Sequence, residues 1–193
     1  MRMSVEVGER TLIERAREAE PAARRSSLDG LLQDVRLLLT GLWLGASLFF
    51  SFVVAPSAFR VLRDSTALYA NHLAGTIVTR NLSVINMTGL VVSLLLLASA
   101  FLFKQSAGRR AFTAEIISLV VVATATSLGQ WLIAARMLAL RAQMGRPIDE
   151  TAANDPLRVA YDSLHVYSVG ALMAAMLAAF VAFLLIARRA RRR

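Results

Sequence analysis

The chain has 193 residues, 56% of them hydrophobic, with a mean hydropathy of +0.56 and a formal charge of +9. The apolar residues fall in long uninterrupted runs, which excludes an ordinary soluble domain and points to a polytopic membrane protein. The positive excess lies beside those runs and not on a soluble face with interleaved aromatics, so nucleic acid is not an expected partner. Cysteine is absent, which excludes disulfides, thiolate metal sites and cysteine nucleophiles.

Residues 1–27 mix Glu9, Arg10, Glu14, Arg15, Arg17, Glu18 and Glu20 with Pro21 and small residues, and no sustained apolar face emerges. This composition predicts a mobile charged tail containing at most a short helix. It is too long and too acidic for the n-region of a signal peptide, so the first apolar run is expected to stay in the mature protein. A membrane domain follows over 28–187, with spans at about 31–55, 82–103, 112–140 and 161–187, and then a basic C-terminal tail at 188–193. Each span meets the requirement of roughly 20 mostly apolar residues.

The first span carries the most information. Thr40, Trp43, Ser47 and Ser51 share one face, Gly41 and Gly45 lie on another, and Pro56 stands near the far end. Pro56 cannot donate to the carbonyl of Phe52, so a hinge or an end of the helix is expected there. Asp34 and Arg36 are expected to snorkel to the near interface, and Glu115 to stand alone at the start of the third span. The segment Ser57–Arg80 has apolar residues at near-helical intervals among charges, which predicts an interfacial helical loop covering the bundle. Pro147 and Pro156 break the connection between spans three and four.

Arginine and lysine number 15 in the N-terminal segment, the 104–110 connection and the C-terminal tail, against 7 in the two opposite segments. This bias predicts both termini inside the cytoplasm, N-in and C-in. Only Lys104 is lysine among 22 basic residues, which reads as a GC-rich bacterial genome and hence a multi-pass protein of a bacterial inner membrane. The fold class is therefore an all-α integral membrane protein, a four-helix transmembrane bundle with a helical outer loop.

Several segments resemble a known family. Trp43-Leu44-Gly45, the run from Phe49-Phe50 through Val54-Ala55-Pro56 to Phe59 and Arg60, Arg141 with Met144-Gly145, and Leu164-His165 with Ser168 make the chain similar to the transmembrane protein 205-like family. The resemblance covers roughly Leu31 to Ala187 and implies a small four-helix membrane protein of undefined activity. More distantly, the first span resembles copper-resistance D type membrane proteins and haem-linked protoporphyrinogen oxidases. That resemblance implies metal or haem handling, but their ligands find no histidine between Thr40 and Phe59.

Polar side chains inside a span are costly unless paired or hydrated, so each is a candidate site residue. Ser47, Ser51, Asn86, Gln130, Arg136, Asp162 and His165 gather in the outer halves of the spans and are expected to line a substrate-binding pocket open to the outside. Arg136 falls on one stripe with Ala125 and Gly129, faces protein on that reading, and is expected to form an ion pair with Asp162. His165 with Met87 and Met137 is the candidate Cu(I) set, weighed against methionines that fill gaps in the interior. Gly41, Gly45, Gly129, Gly170 and Ala174 are expected at close helix contacts. In the fourth span the Gly170–Ala174 ridge lies opposite His165, which predicts a homodimer packed through the ridge.

Three functions follow in order: binding or moving a small solute or metal, an accessory role through helix contacts, and a haem or redox role. Enzyme constellations are missing: there is no Gly-rich phosphate loop, no HExxH and no pair of membrane-embedded carboxylates. Asp162, Ser163, His165 and Ser168 splay around one short segment and do not converge as a triad must. No enzyme is expected, and the lipid bilayer is the assured partner.

Overall fold

The computed structural model describes residues 28–65, 68–101 and 108–191. The expected tail at 1–27 lies outside the described residues. Four helices are long and apolar enough to cross a membrane: α1 (Leu28–Asp64), α2 (Ala70–Ala100), α3 (Arg109–Met144) and α4 (Pro156–Ala190). A short 3₁₀ turn, Ile148–Glu150, lies between α3 and α4. The helices run up and down as one bundle. α2 packs along α3 and α3 along α4, while Gln33 on α1 donates to the carbonyl of Ile186 on α4 at 2.9 Å. That bond places the start of α1 beside the end of α4, so both ends of the membrane domain meet at one face, called here the terminal end.

The bundle is apolar outside and partly polar inside, the arrangement a lipid solvent favours. On α1 the buried positions are Gln33, Arg36, Thr40, Trp43, Leu44, Ser47 and Phe50, at spacings of three and four, while Leu38, Leu42, Phe49 and Phe52 face out. The hydroxyls on this face cause no orphaned groups. Thr40 donates to the carbonyl of Arg36, Ser47 to that of Trp43 and Ser51 to that of Ser47, each four residues back. Trp43 turns its ring onto α2: Nε1 donates to the carbonyl of Ile85 at 3.0 Å, and a Cβ at Gly89 would sit 2.7 Å from the indole. Glycine at 89 is therefore what lets the tryptophan lie flat against the neighbouring backbone.

Two spans contain π-helical segments, and these account for three departures from expectation. In α1 the chain widens at Phe50–Val54, where the N–H of Ala55 bonds to the carbonyl of Phe50, five residues back. The wider turn accommodates Pro56, which does not end α1; the helix continues to Asp64. The segment Ser57–Arg80 is accordingly no separate interfacial helix. It divides between the last turns of α1 and the first turns of α2: α1 continues past 55 to Asp64, and α2 already begins at Ala70.

The second π-helical segment, Leu128–Ala134, lies in α3. An α-helical register places Arg136 on the stripe of Gly129, but the π-helical turns shift everything downstream by about one position. Gly129 is buried, Met137 takes the inward place, and Arg136 is exposed. The expected inward orientation of Arg136 is thus overturned by a local change of helical pitch.

Candidate functional site

At the terminal end, Glu115 of α3 is fully buried and accepts from two arginines. Arg36 of α1 pairs with its Oε1, and Arg189 of α4 pairs with its Oε2 at 2.5 Å. Arg36 is 2% exposed and Arg189 9%. The expectations of a snorkelling Arg36 and an isolated Glu115 are both corrected here. α4 remains helical through Ala190, so Arg189 is carried into the bundle. One carboxylate between two guanidiniums satisfies a charge that alone would be prohibitive in this setting, and it joins three helices at one point. The side chains of Gln33, Arg36 and Glu115 are all buried at the terminal end.

The far end is open. A cavity of about 310 Å³ lies among the four helices, lined by Phe59, Asn71, Gly75, Thr79, Arg141, Asp149, Arg158, Tyr161, Asp162 and His165, among others. Arg141 dominates it. Its Nη2 donates to the Tyr161 hydroxyl at 2.7 Å and its Nη1 to Thr76 Oγ1 at 3.2 Å, and its guanidinium stands 5.1 Å from the Tyr161 ring centroid. A Cβ on Gly75 would run into the guanidinium, so this glycine makes the room Arg141 occupies. Arg141 Nε is buried without a hydrogen-bond partner, and among the described residues no carboxylate pairs with this arginine.

The roof of the cavity comes from the 3₁₀ turn, not from the first outer loop. Asp149 accepts from Asn71 N at 3.3 Å, Asn71 Nδ2 at 2.7 Å and His72 N at 2.9 Å, capping the otherwise unpaired donors at the start of α2. Burial pushes the Asp149 carboxyl up, but the hydrogen bonds from His72 and Asn71 outweigh it and hold the carboxyl below its usual value. Glu150 sits beside Tyr69, and the hydrogen bond and charge of Glu150 raise the phenol above its usual range. Arg158 donates to the carbonyls of Ile148 and Thr151, fastening the turn to α4.

A second cavity of about 330 Å³ adjoins the first. It lies deeper along α1, α2 and α4, lined by Phe50, Ser51, Phe52, Pro56, Leu82, Ser168, Leu172, Met173 and Met176, among others. Phe59, Val78 and His165 line both cavities and form their common rim.

The expected site residues divide between these places. His165 and Asp162 line the polar cavity, and Ser51 the apolar one, with its hydroxyl 4.0 Å from the sulfur of Met176. Ser47 is wholly buried against α1 itself. Asn86 is buried against α3, where a Cβ at Gly129 would lie 3.1 Å from its amide nitrogen; Gln130 is on the π-helical turns, its Oε1 buried without a partner. The expected Arg136–Asp162 pair is not formed. Asp162 faces Arg158 at 3.9 Å on its own helix, while Arg136 shares a shallow outer cleft with Trp131, Leu164 and Tyr167. An arginine beside a tryptophan and a tyrosine on the lipid-facing surface is the pattern of a membrane interface.

The candidate Cu(I) ligands are not assembled either. Met137 is buried with Leu140 and Tyr161, Met87 faces outward, and the methionines that share a cavity wall with His165 are Met173 and Met176. Among the described residues no three His, Asp or Glu side chains are grouped to hold a metal ion. Of the glycines marked for packing, Gly41 meets the ring of Phe183, where a Cβ would lie at 3.3 Å, and Gly129 meets Asn86. Gly45 and Gly170 have nothing within 4 Å, and Ala174 is exposed. Sequence reasoning missed Arg141, Gly75 and Gly89. Only Arg141 carried a visible signal, an arginine just ahead of Met144-Gly145 at the end of a span.

Four apolar helices with a buried charge cluster at one end and a polar cavity at the other define a multi-pass integral membrane protein. Residues 38–146, more than half of the chain, match the family described as a domain of unknown function, DUF4149, and the chain belongs to that family. Neither the curated proteins nor the solved structures gave a match.

Proposed function

We propose that this protein binds a small solute bearing an anionic or hydrogen-bond-accepting group in the cavity around Arg141, and that the cavity opens to the outside of the cell. The observation that carries the reading is Arg141 itself: a half-buried cation on a cavity wall, positioned by Tyr161, Thr76 and the gap at Gly75, with no carboxylate paired to it among the described residues. Cationic side chains at membrane depth are expensive, and one left without a counter-charge is a recognition element in waiting. The arginine and lysine bias supports the N-in, C-in orientation that makes this end the outer one. The buried cluster of Arg36, Glu115 and Arg189 at the opposite end supports a protein that captures its solute from outside over an open channel. The residues that resemble the transmembrane protein 205-like family support a place near that group, and the arginine-rich composition supports a bacterial inner membrane.

The test is ligand-induced stabilisation of the purified protein. Inorganic phosphate and acetate are expected to raise the melting temperature of the wild type and to leave Arg141→Gln unmoved. Equal shifts in both proteins would remove the reading.

A second reading, an accessory protein acting through helix contacts, is favoured by Gly170 and Ala174, which stay open on the outer surface of α4. In this reading the ridge meets a second copy of the chain. Ala174→Leu is then expected to convert dimer to monomer in detergent; an unchanged oligomeric state would leave only the binding role. Haem and Cu(I) find no comparable arrangement among the described residues.

A further inference from the structure

The polar and apolar cavities share a rim, and their chemistries are complementary halves of one kind of molecule. We infer that the ligand is a single-chain amphiphile with an anionic head, a carboxylate or a phosphate, that enters sideways from the outer leaflet; this rests on the reading of Arg141 as the recognising cation. Each chamber, at about 310 and 330 Å³, falls within the range of small-molecule sites. The head meets Arg141 in the polar chamber. The chain passes His165 and Phe59 on the common rim and lies in the apolar chamber.

The lateral entrance follows from the walls of that chamber. Phe52, Val169 and Met173 line it and are also exposed on the outside of the bundle, which in a bilayer is the lipid side. A soluble anion has no use for such an opening, whereas a membrane-dissolved molecule needs one. The π-helical turns at Phe50–Val54 form part of the wall, so the departure from α-helical pitch in α1 lies at this chamber, and such turns are frequent at functional sites. Methionines at 173 and 176 give the wall the deformable, polarisable surface suited to flexible chains. Pairing favours an anionic head: Asp149 is held by the start of α2 and Asp162 stands 3.9 Å from Arg158, which leaves Arg141 as the cation of the chamber with no carboxylate paired to it among the described residues.

The experiment uses the full chain in nanodiscs of neutral phosphatidylcholine. A fatty acid with a photoreactive diazirine in mid-chain is compared with the same chain ending in a trimethylammonium group, and crosslinked residues are mapped by mass spectrometry. The acid is expected to label Phe50–Phe59 and His165–Met176, at least tenfold above the cationic probe, with decyl phosphate competing. Arg141→Gln is expected to lose the label at least tenfold, with circular dichroism showing its helices retained, and Arg141→Lys, which keeps the charge, to keep part of it. Met173→Trp, which fills the apolar chamber and leaves Arg141 in place, is expected to lose the fatty-acid label but keep the thermal response to inorganic phosphate. Labelling spread evenly over lipid-facing residues such as Val91 and Leu95, equal in Arg141→Gln, overturns the amphiphile. If phosphate still stabilises the wild type and not Arg141→Gln, the solute pocket stands and only the amphiphile falls; if neither probe nor phosphate responds to Arg141, both fall.

Discussion

Glu115→Gln should be the most damaging single substitution in this bundle. The change keeps the side-chain volume and removes only the charge, leaving Arg36 and Arg189 as two like charges where Arg36 is 2% exposed. Breaking a buried ion pair by deleting one partner costs about 3–5 kcal/mol, and here one deletion breaks two pairs. Against a total stability of about 5–15 kcal/mol, that is a large fraction. Arg189→Gln should cost less, about 1–3 kcal/mol, because Glu115 keeps Arg36 and Arg189 is the more exposed of the two arginines. The combination Arg36→Met with Glu115→Leu should recover most of the loss, since it replaces the buried pair with apolar volume and leaves Arg189 free to reach the interface. Reversible unfolding in mixed micelles, titrated with sodium dodecyl sulfate and followed by circular dichroism, measures all four proteins. A Glu115→Gln variant as stable as the wild type, or a double variant no better than that single one, would refute the reasoning.

Other outcomes follow from single contacts. Gly89→Ala places a methyl group against the Trp43 indole and should destabilise by about 1–3 kcal/mol, whereas Gly170→Ala, with open space around it, should stay within about 1 kcal/mol of the wild type by the same unfolding titration. Asp149→Asn removes the carboxylate that caps α2, and amide exchange at Asn71 and His72 should quicken by a factor reflecting about 1 kcal/mol, the usual worth of a helix cap. Because the folded value of Asp149 lies below its ordinary 3.8, its contribution is complete above that pH and is lost as pH falls through the lower folded value. Exchange at the same two amides should therefore accelerate beyond its intrinsic pH trend only below about pH 4, and not at all in Asp149→Asn.

The four spans were legible because the bilayer imposes a length, and twenty apolar residues are hard to mistake. The inward face of α1 was legible too: Thr40, Trp43 and Ser47 share a helical stripe and are all buried. Pairing across helices was not. Arg36 and Glu115 are 79 residues apart, and nothing in either neighbourhood names the other; only the rotation of two helices brings them together. The same ignorance of rotation misplaced the outer arginine. Counting 100° per residue from Gly129 selects Arg136, but π-helical turns at Leu128–Ala134 carry Met137 inward, and the cavity takes Arg141. A π-helical segment has no reliable signature in local composition, although Pro56 gave a reason to expect some distortion in α1. Gly89 and Gly75 were invisible for a related reason: what makes a glycine necessary is the side chain opposite, Trp43 or Arg141, and that lies on another helix.

In the proposed orientation the polar cavity, at the end opposite the buried charge cluster, is wet and faces out. The absence of native cysteine makes this directly measurable, because a single introduced thiol is the only one in the chain. In intact cells a membrane-impermeant maleimide should label His165→Cys, on the cavity rim, and should reach Arg110→Cys, exposed at the terminal end, only after permeabilisation. Labelling of Arg110→Cys in intact cells, with His165→Cys protected, would contradict the orientation and the outward-facing pocket together.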